Sequence, residues 1–151
     1  MTKKANLPKG IESTRSTLKK LVNHRAFRAV VFLTVLLLAA YMVFFRLGLE
    51  DWQADVPIYR DAGLEYVQDG DFSSNQEHPF LVKYILGVTQ VVSGSSEPEV
   101  VRIPAATATL LTGLVLFAFA QRVVGYWSGV LAFALWTISP LTLRIGRDAT
   151  L

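Results

Sequence analysis

The 151-residue sequence has no cysteine, which excludes both disulfides and thiolate metal sites. It also lacks charge over three long stretches. Residues 29–45 (AVVFLTVLLLAAYMVFF), 103–121 (IPAATATLLTGLVLFAFAQ) and 123–143 (VVGYWSGVLAFALWTISPLTL) carry no Asp, Glu, Lys or Arg. Hydrophobic residues make up 52% of the chain, above the roughly 45–50% of soluble domains, and the excess is gathered into these blocks. A helix needs about 17–25 apolar residues to cross the hydrocarbon core. All three blocks meet that length, so the expected class is an all-α integral membrane protein with three transmembrane helices. The N-terminus lacks an early apolar run. Polar residues precede the first block, and that block exceeds the roughly 7–15 residues of a cleavable signal's apolar region. It reads as a retained signal anchor, with Arg28 and Arg46 snorkelling to the two interfaces.

Charge of each sign is scarce where the other is plentiful. Residues 1–28 hold eight Lys/Arg and one acid, Glu12. Residues 50–102 hold ten acids against Arg60, Lys83 and Arg102. Basic residues beside a first span stay on the cytoplasmic side, so the tail is expected inside and residues 50–102 outside a plasma membrane. The tail lacks interleaved aromatics, which argues against a nucleic-acid partner and for attraction to anionic membrane lipids. A fourth uncharged stretch, 84–96 (YILGVTQVVSGSS), is too short to span and ends in Ser and Gly; runs of about 10–14 are more often interfacial or re-entrant. Placing it outside leaves Arg122 in a short inner turn, as the charge rule prefers. The expected organisation is a basic cytoplasmic tail (1–25), transmembrane helix one (26–49) and an outer loop (50–102). Transmembrane helix two (103–121), a cytoplasmic turn (122–125) and transmembrane helix three (126–147) follow.

Two amphipathic surface helices are expected in the outer loop, at about 56–69 and 79–93. For the first, Asp55 suits the N-cap, Pro57 the first turn and Gly70 the stop. Ile58, Ala62 and Tyr66 at spacing four form its apolar stripe, which suits a helix on a membrane surface. The link to the second helix is turn-rich, with Asp71 and Ser73 as caps, and Pro79 opens that helix.

Four segments, in order, resemble a known family. EHPFLVK (77–83) resembles the H-P-P-L-x-K segment of protein O-mannosyltransferases and equally the E-K-P segment of the related lipid A aminoarabinose transferases. DVPIY (55–59) resembles the D-E-x-x-Y segment after their first span. RIPAATATLLTG (102–113) is similar to the segment that opens their second span, and SPLTLRIGRDATL (139–151) to their S-P-L-x-L-x-x-x-R-x-A-T-L. Together they resemble the N-terminal part of a membrane-embedded C-type glycosyltransferase. The chain departs from that pattern at Val56, where the usual second carboxylate is missing, and at Phe80, where the second proline is missing.

The resemblance implies a polyprenyl-phosphate sugar donor and a protein, lipid or polysaccharide acceptor. It also implies that these 151 residues are the N-terminal portion of a larger polytopic enzyme, inactive alone. By family position, Asp55 is the general base, Glu77 a ligand for a divalent metal, and His78 and Lys83 contacts for the substrate. Tyr59, Arg102 and Arg147 complete the substrate-binding set. Each residue also has a plainer reading. Asp55 can be only an N-cap, and Glu77 and His78 can only cap the second surface helix. Lys83 can snorkel to headgroups, Arg102 can anchor at the interface, and Tyr59 and Tyr66 can be packing or belt aromatics. Arg144, Arg147 and Asp148 can form an outer ion-pair cluster. A Glu-His pair alone is short of the three protein ligands of a typical tetrahedral catalytic site. The rival function is a non-catalytic membrane anchor or partner subunit. A transporter is disfavoured, because the spans lack the ionisable residues a pathway needs.

Overall fold

The structure, a computed structural model, describes residue 20, residues 24–49 and residues 55–147. These form six helices and no strand: α1 (Arg25–Phe44), α2 (Val56–Gln68), α3 (Phe80–Ser93), α4 (Pro98–Val123), α5 (Tyr126–Ile138) and α6 (Pro140–Gly146). The chain divides into two compact units, residues 1–37 and 38–151. Of the first, the described part is chiefly the opening turns of α1, which are apolar throughout from Ala29 to Leu37 save for Thr34; its hydroxyl bonds back to the Val30 carbonyl at 2.9 Å.

Helices α1 and α4 are each long and apolar enough to cross a membrane. The third block differs from the single straight helix expected over 126–147. It breaks at Ser139 into α5 and α6, which bend by 63° and pass the same test only as a pair. Pro140 is the cause: it has no N–H to continue the ladder, its ring clashes with the preceding turn, and it pushes Ser139 into extended geometry. Ser139 sits at φ −61, ψ 123, and its hydroxyl then caps α6 by accepting from Thr142 N at 3.5 Å. Helix α4 starts at Pro98, ahead of its uncharged stretch, so Arg102 lies within the helix.

Helices α4 and α5 form an antiparallel hairpin. Gly125, at φ +129, makes the turn, a conformation glycine adopts without strain. Gly113 lies under Phe133 and Trp136, and Gly129 lies against Phe117 and Gln121; a Cβ on either would come within 2.8 Å of them. Trp136 Nε1 donates to the Thr109 carbonyl at 3.0 Å.

Helices α2 and α3 form the second pair, and here backbone meets backbone. A Cβ on Gly63 would strike the Lys83 carbonyl, and one on Gly87 would strike the Gly63 carbonyl. The buried face of α2 is Val56, Tyr59, Ala62, Gly63 and Tyr66. Ile58 is not on it, being 49% exposed. At 100° per residue the buried stripe centres between Tyr59 and Tyr66, and Ile58 falls well to one side of it. Helix α3 is turned the other way in chemistry. It buries Lys83, Leu86, Gly87 and Gln90 and leaves Phe80, Leu81, Tyr84, Ile85, Val88, Val91 and Val92 exposed. Gln90 Nε2 donates to the Arg60 carbonyl at 3.0 Å and ties the pair at its far end. Val56, Tyr59, Leu86 and Val101 close a small core between α2, α3 and the start of α4.

Candidate functional site

The site lies where α2 begins and where the loop before α3 returns to it. The loop is shaped by its own polar groups. Ser73 N donates to Asp71 Oδ1 at 2.8 Å, closing a turn within the link in place of the helix caps expected of these two residues, and the Ser73 side chain and then its N–H hold the Asp71 carboxyl below its ordinary range. Tyr66 Oη donates to the Ser74 carbonyl, and Ser74 Oγ donates to Glu65 Oε2. Asn75 follows at φ 50, in the left-handed region that asparagine tolerates better than most residues. Lys83 reaches back from α3. Its Nζ donates to the Asn75 carbonyl and, at 3.1 Å, to Asn75 Oδ1. The same ammonium sits 5.5 Å from the centre of the Tyr66 ring, within cation–π range.

Past Asn75 the chain emerges, and Gln76, Glu77, His78 and Pro79 are exposed. Together with Tyr66, Phe72 and Phe80 they line an open cleft of about 790 Å³. Its wall is aromatic: Phe72 lies 5.1 Å from Tyr66 and 6.4 Å from Phe80, centre to centre. Helix α3 is preceded by Pro79 at its N-cap with no side-chain capping bond, so neither Glu77 nor His78 caps it.

Tyr59 joins this loop to the start of α2. It is buried in the small core, and its ring meets the His78 imidazole edge-on at 5.2 Å. Burial raises its hydroxyl above the ordinary value of 10.0, and the carboxylates of Asp55 and Glu77 add to that. Tyr59 and Tyr66 are packing residues with polar tips rather than belt aromatics. Asp55 occupies the N-cap position of α2, but its backbone is helical (φ −91, ψ −19) and its side chain makes no capping bond. An N-cap side chain normally accepts from an N–H two or three residues on. Asp55 instead leaves its carboxylate exposed beside Tyr59.

The structure thus sets His78 against Tyr59, with Asp55 one turn earlier at the head of the same helix and Glu77 beside His78 in the cleft. Lys83 is near but enclosed, with no exposed surface, so it neither snorkels nor lines the cleft. Arg102 and Arg147 belong elsewhere. Arg102, 2% exposed, donates from Nη1 to the Leu47 carbonyl at 2.6 Å. Arg147 Nη2 donates to the carbonyls of Phe45 at 2.5 Å and Arg46 at 3.2 Å. Both guanidinium groups satisfy carbonyls around the C-terminal end of α1, which a helix leaves without partners of its own. Asp148, the acid of the expected outer cluster, lies outside the described residues. Sequence reasoning missed Asn75, Ser74 and Glu65. The signal was the run SSN, whose residue types favour turns and left-handed backbone.

For the divalent metal, the described residues contain no group of three His, Cys, Asp or Glu able to hold an ion. Glu77 and His78 alone fall short of the three protein ligands of a typical catalytic metal site.

Residues 77–151, just under half of the chain, match the family model described as dolichyl-phosphate-mannose-protein mannosyltransferase. The match begins at Glu77 and covers the segments EHPFLVK, RIPAATATLLTG and SPLTLRIGRDATL; DVPIY lies outside it. No curated protein and no solved structure matches the chain significantly.

Proposed function

From the similarity of residues 77–151 to dolichyl-phosphate-mannose-protein mannosyltransferases, we propose that the chain serves glycosyl transfer from a polyprenyl-phosphate sugar to an acceptor at the outer face of the membrane. One observation carries the reading. The loop at which the family match opens sets His78 against Tyr59, one turn along α2 from Asp55. In the proposed reaction the Asp55 carboxylate takes the proton of the acceptor hydroxyl. The acceptor oxygen bonds to the sugar's anomeric carbon, and the bond from that carbon to the phosphate oxygen breaks. The phosphate leaves on its polyprenyl chain. A carboxylate in reach of the hydroxyl is the usual agent for the first step. His78, a donor when protonated, faces the same cleft and suits a phosphate or sugar oxygen. Arg102 and Arg147 would contribute by holding the end of α1, and Glu77 by its charge beside Tyr59.

The donor's lipid tail stays in the bilayer, so the site must sit at the membrane surface. The apolar outward face of α3 fits that position, because lipid and not water is its natural surrounding. The charge asymmetry then puts residues 50–102 outside and Arg122 inside.

The test is to supply membranes carrying residues 1–151 joined to the remainder of the polytopic enzyme that the resemblance implies with a radiolabelled polyprenyl-phosphate mannose, and to follow both label transfer and release of polyprenyl phosphate. Release above that of membranes without the protein is expected. The rival reading, a non-catalytic partner subunit, draws on the absence of a metal-holding group among the described residues. It predicts no release by this chain and binding to a separate enzyme.

A further inference from the structure

Lys83 is a charged side chain with no exposed surface. A buried ammonium is costly unless its donors are matched, and it has three of them. Three electron-rich groups meet them here, all neutral: the Asn75 carbonyl, Asn75 Oδ1 and the face of the Tyr66 ring. Two of the three belong to one loop residue, Asn75, which turns the chain through the left-handed region that asparagine readily adopts. The adjoining Ser74 is gripped from α2 by Tyr66 and Glu65. Two helices thus clamp Ser74–Asn75, and Glu77 and His78 project from the clamp two and three residues later.

We infer that Lys83 is a positioning residue. Through Asn75 it fixes the backbone that aims Glu77 and His78 at Tyr59, and it does not itself meet the substrate. The inference takes from the proposed function only that Glu77 and His78 are site residues.

The test uses the whole protein in detergent micelles and needs no turnover. Lys83→Met keeps the stem and removes the donors. The backbone amide order parameters of residues 74 and 75 should fall from the rigid value of about 0.85 toward the flexible range below about 0.6. Those of the core turns of α2, residues 59–63, should stay in the rigid range. The His78 imidazole resonance, shifted in this account by the Tyr59 ring 5.2 Å away, should move toward that of a free histidine. Asn75→Gly attacks the other end. It keeps the left-handed turn and the backbone carbonyl and removes Oδ1, so the fall at 74 and 75 should be smaller. Lys83→Met with unchanged order parameters at 74 and 75 and an unmoved His78 signal would overturn the inference. So would a fall spread equally through α2 and α3, which would make Lys83 a general packing residue. Because neither readout is turnover, the latch can stand where glycosyl transfer is disproved, and fall where it is upheld.

Discussion

The α2–α3 pair and the α4–α5 hairpin are both packed on glycine, yet the glycines meet different things. In the hairpin, Gly113 makes room for ring atoms of Phe133 and Trp136, while Gly129 meets the Gln121 side chain and the Phe117 carbonyl, and the polar groups that remain inside are hydroxyls and an indole bonded to nearby carbonyls. In the α2–α3 pair, Gly63 and Gly87 make room for each other's backbone, and the interior holds Lys83, Gln90 and the tips of Tyr59 and Tyr66. Side chains can shift and backbones cannot. At Gly113 the hairpin tolerates adjustment. The pair is built as a fixed frame, polar within and apolar without, that presents a loop.

The sharpest way to break this contrast is to give each glycine a side chain. Gly87→Val should destabilise by about 1–3 kcal/mol or more, the range for overpacking where nothing can give. Gly113→Val should cost less, because aromatic rings can rotate aside. Denaturant unfolding in one detergent compares them, and the reverse ranking would refute the distinction between frame and span. Next in size is Arg102→Met. If Arg102 holds α1 through the Leu47 carbonyl, its loss should cost about 1.5–3 kcal/mol of stability, read in the same unfolding experiment. Unchanged stability would return Arg102 to a ligand-facing role. The smallest effect is expected at Tyr59. Its proton is held more firmly in the fold than in the unfolded chain, by burial and then by Asp55 and Glu77. Folding is therefore favoured fully below pH 10, and that contribution is lost as pH rises through and beyond 10. Tyr59→Phe should remove this part of the alkaline loss; an identical pH–stability curve for both proteins would separate Tyr59 from the two acids.

Much of the frame could be read from residue types. Pro57, Gly70 and Pro79 delimit the two loop helices because proline and glycine act through their own backbone geometry, whatever surrounds them. Uncharged length marked the spans for the same reason. The features that escaped depend on three dimensions. Ile58 fits a spacing of four, but the stripe that packs is chosen by the partner helix. The bend at Ser139–Pro140 was present as a proline in an apolar block, yet block length alone says nothing of a break. Lys83 bonds a carbonyl eight residues earlier, and only the loop's return past Tyr66 brings the two together. For Asp55 the sequence left cap and base undecided. The helical backbone at that position and the missing capping bond remove the support for the cap.

The most direct measurement of the central claim is turnover of Asp55→Asn made in the full-length enzyme that the resemblance implies, with its abundance in the membrane measured alongside. Asparagine is as good an N-cap as aspartate and cannot take a proton from an acceptor hydroxyl. The expected result is normal abundance with release of polyprenyl phosphate reduced about 10²–10⁴-fold. Near-normal release at normal abundance would contradict the account, because the site built around Tyr59 would then work without its base.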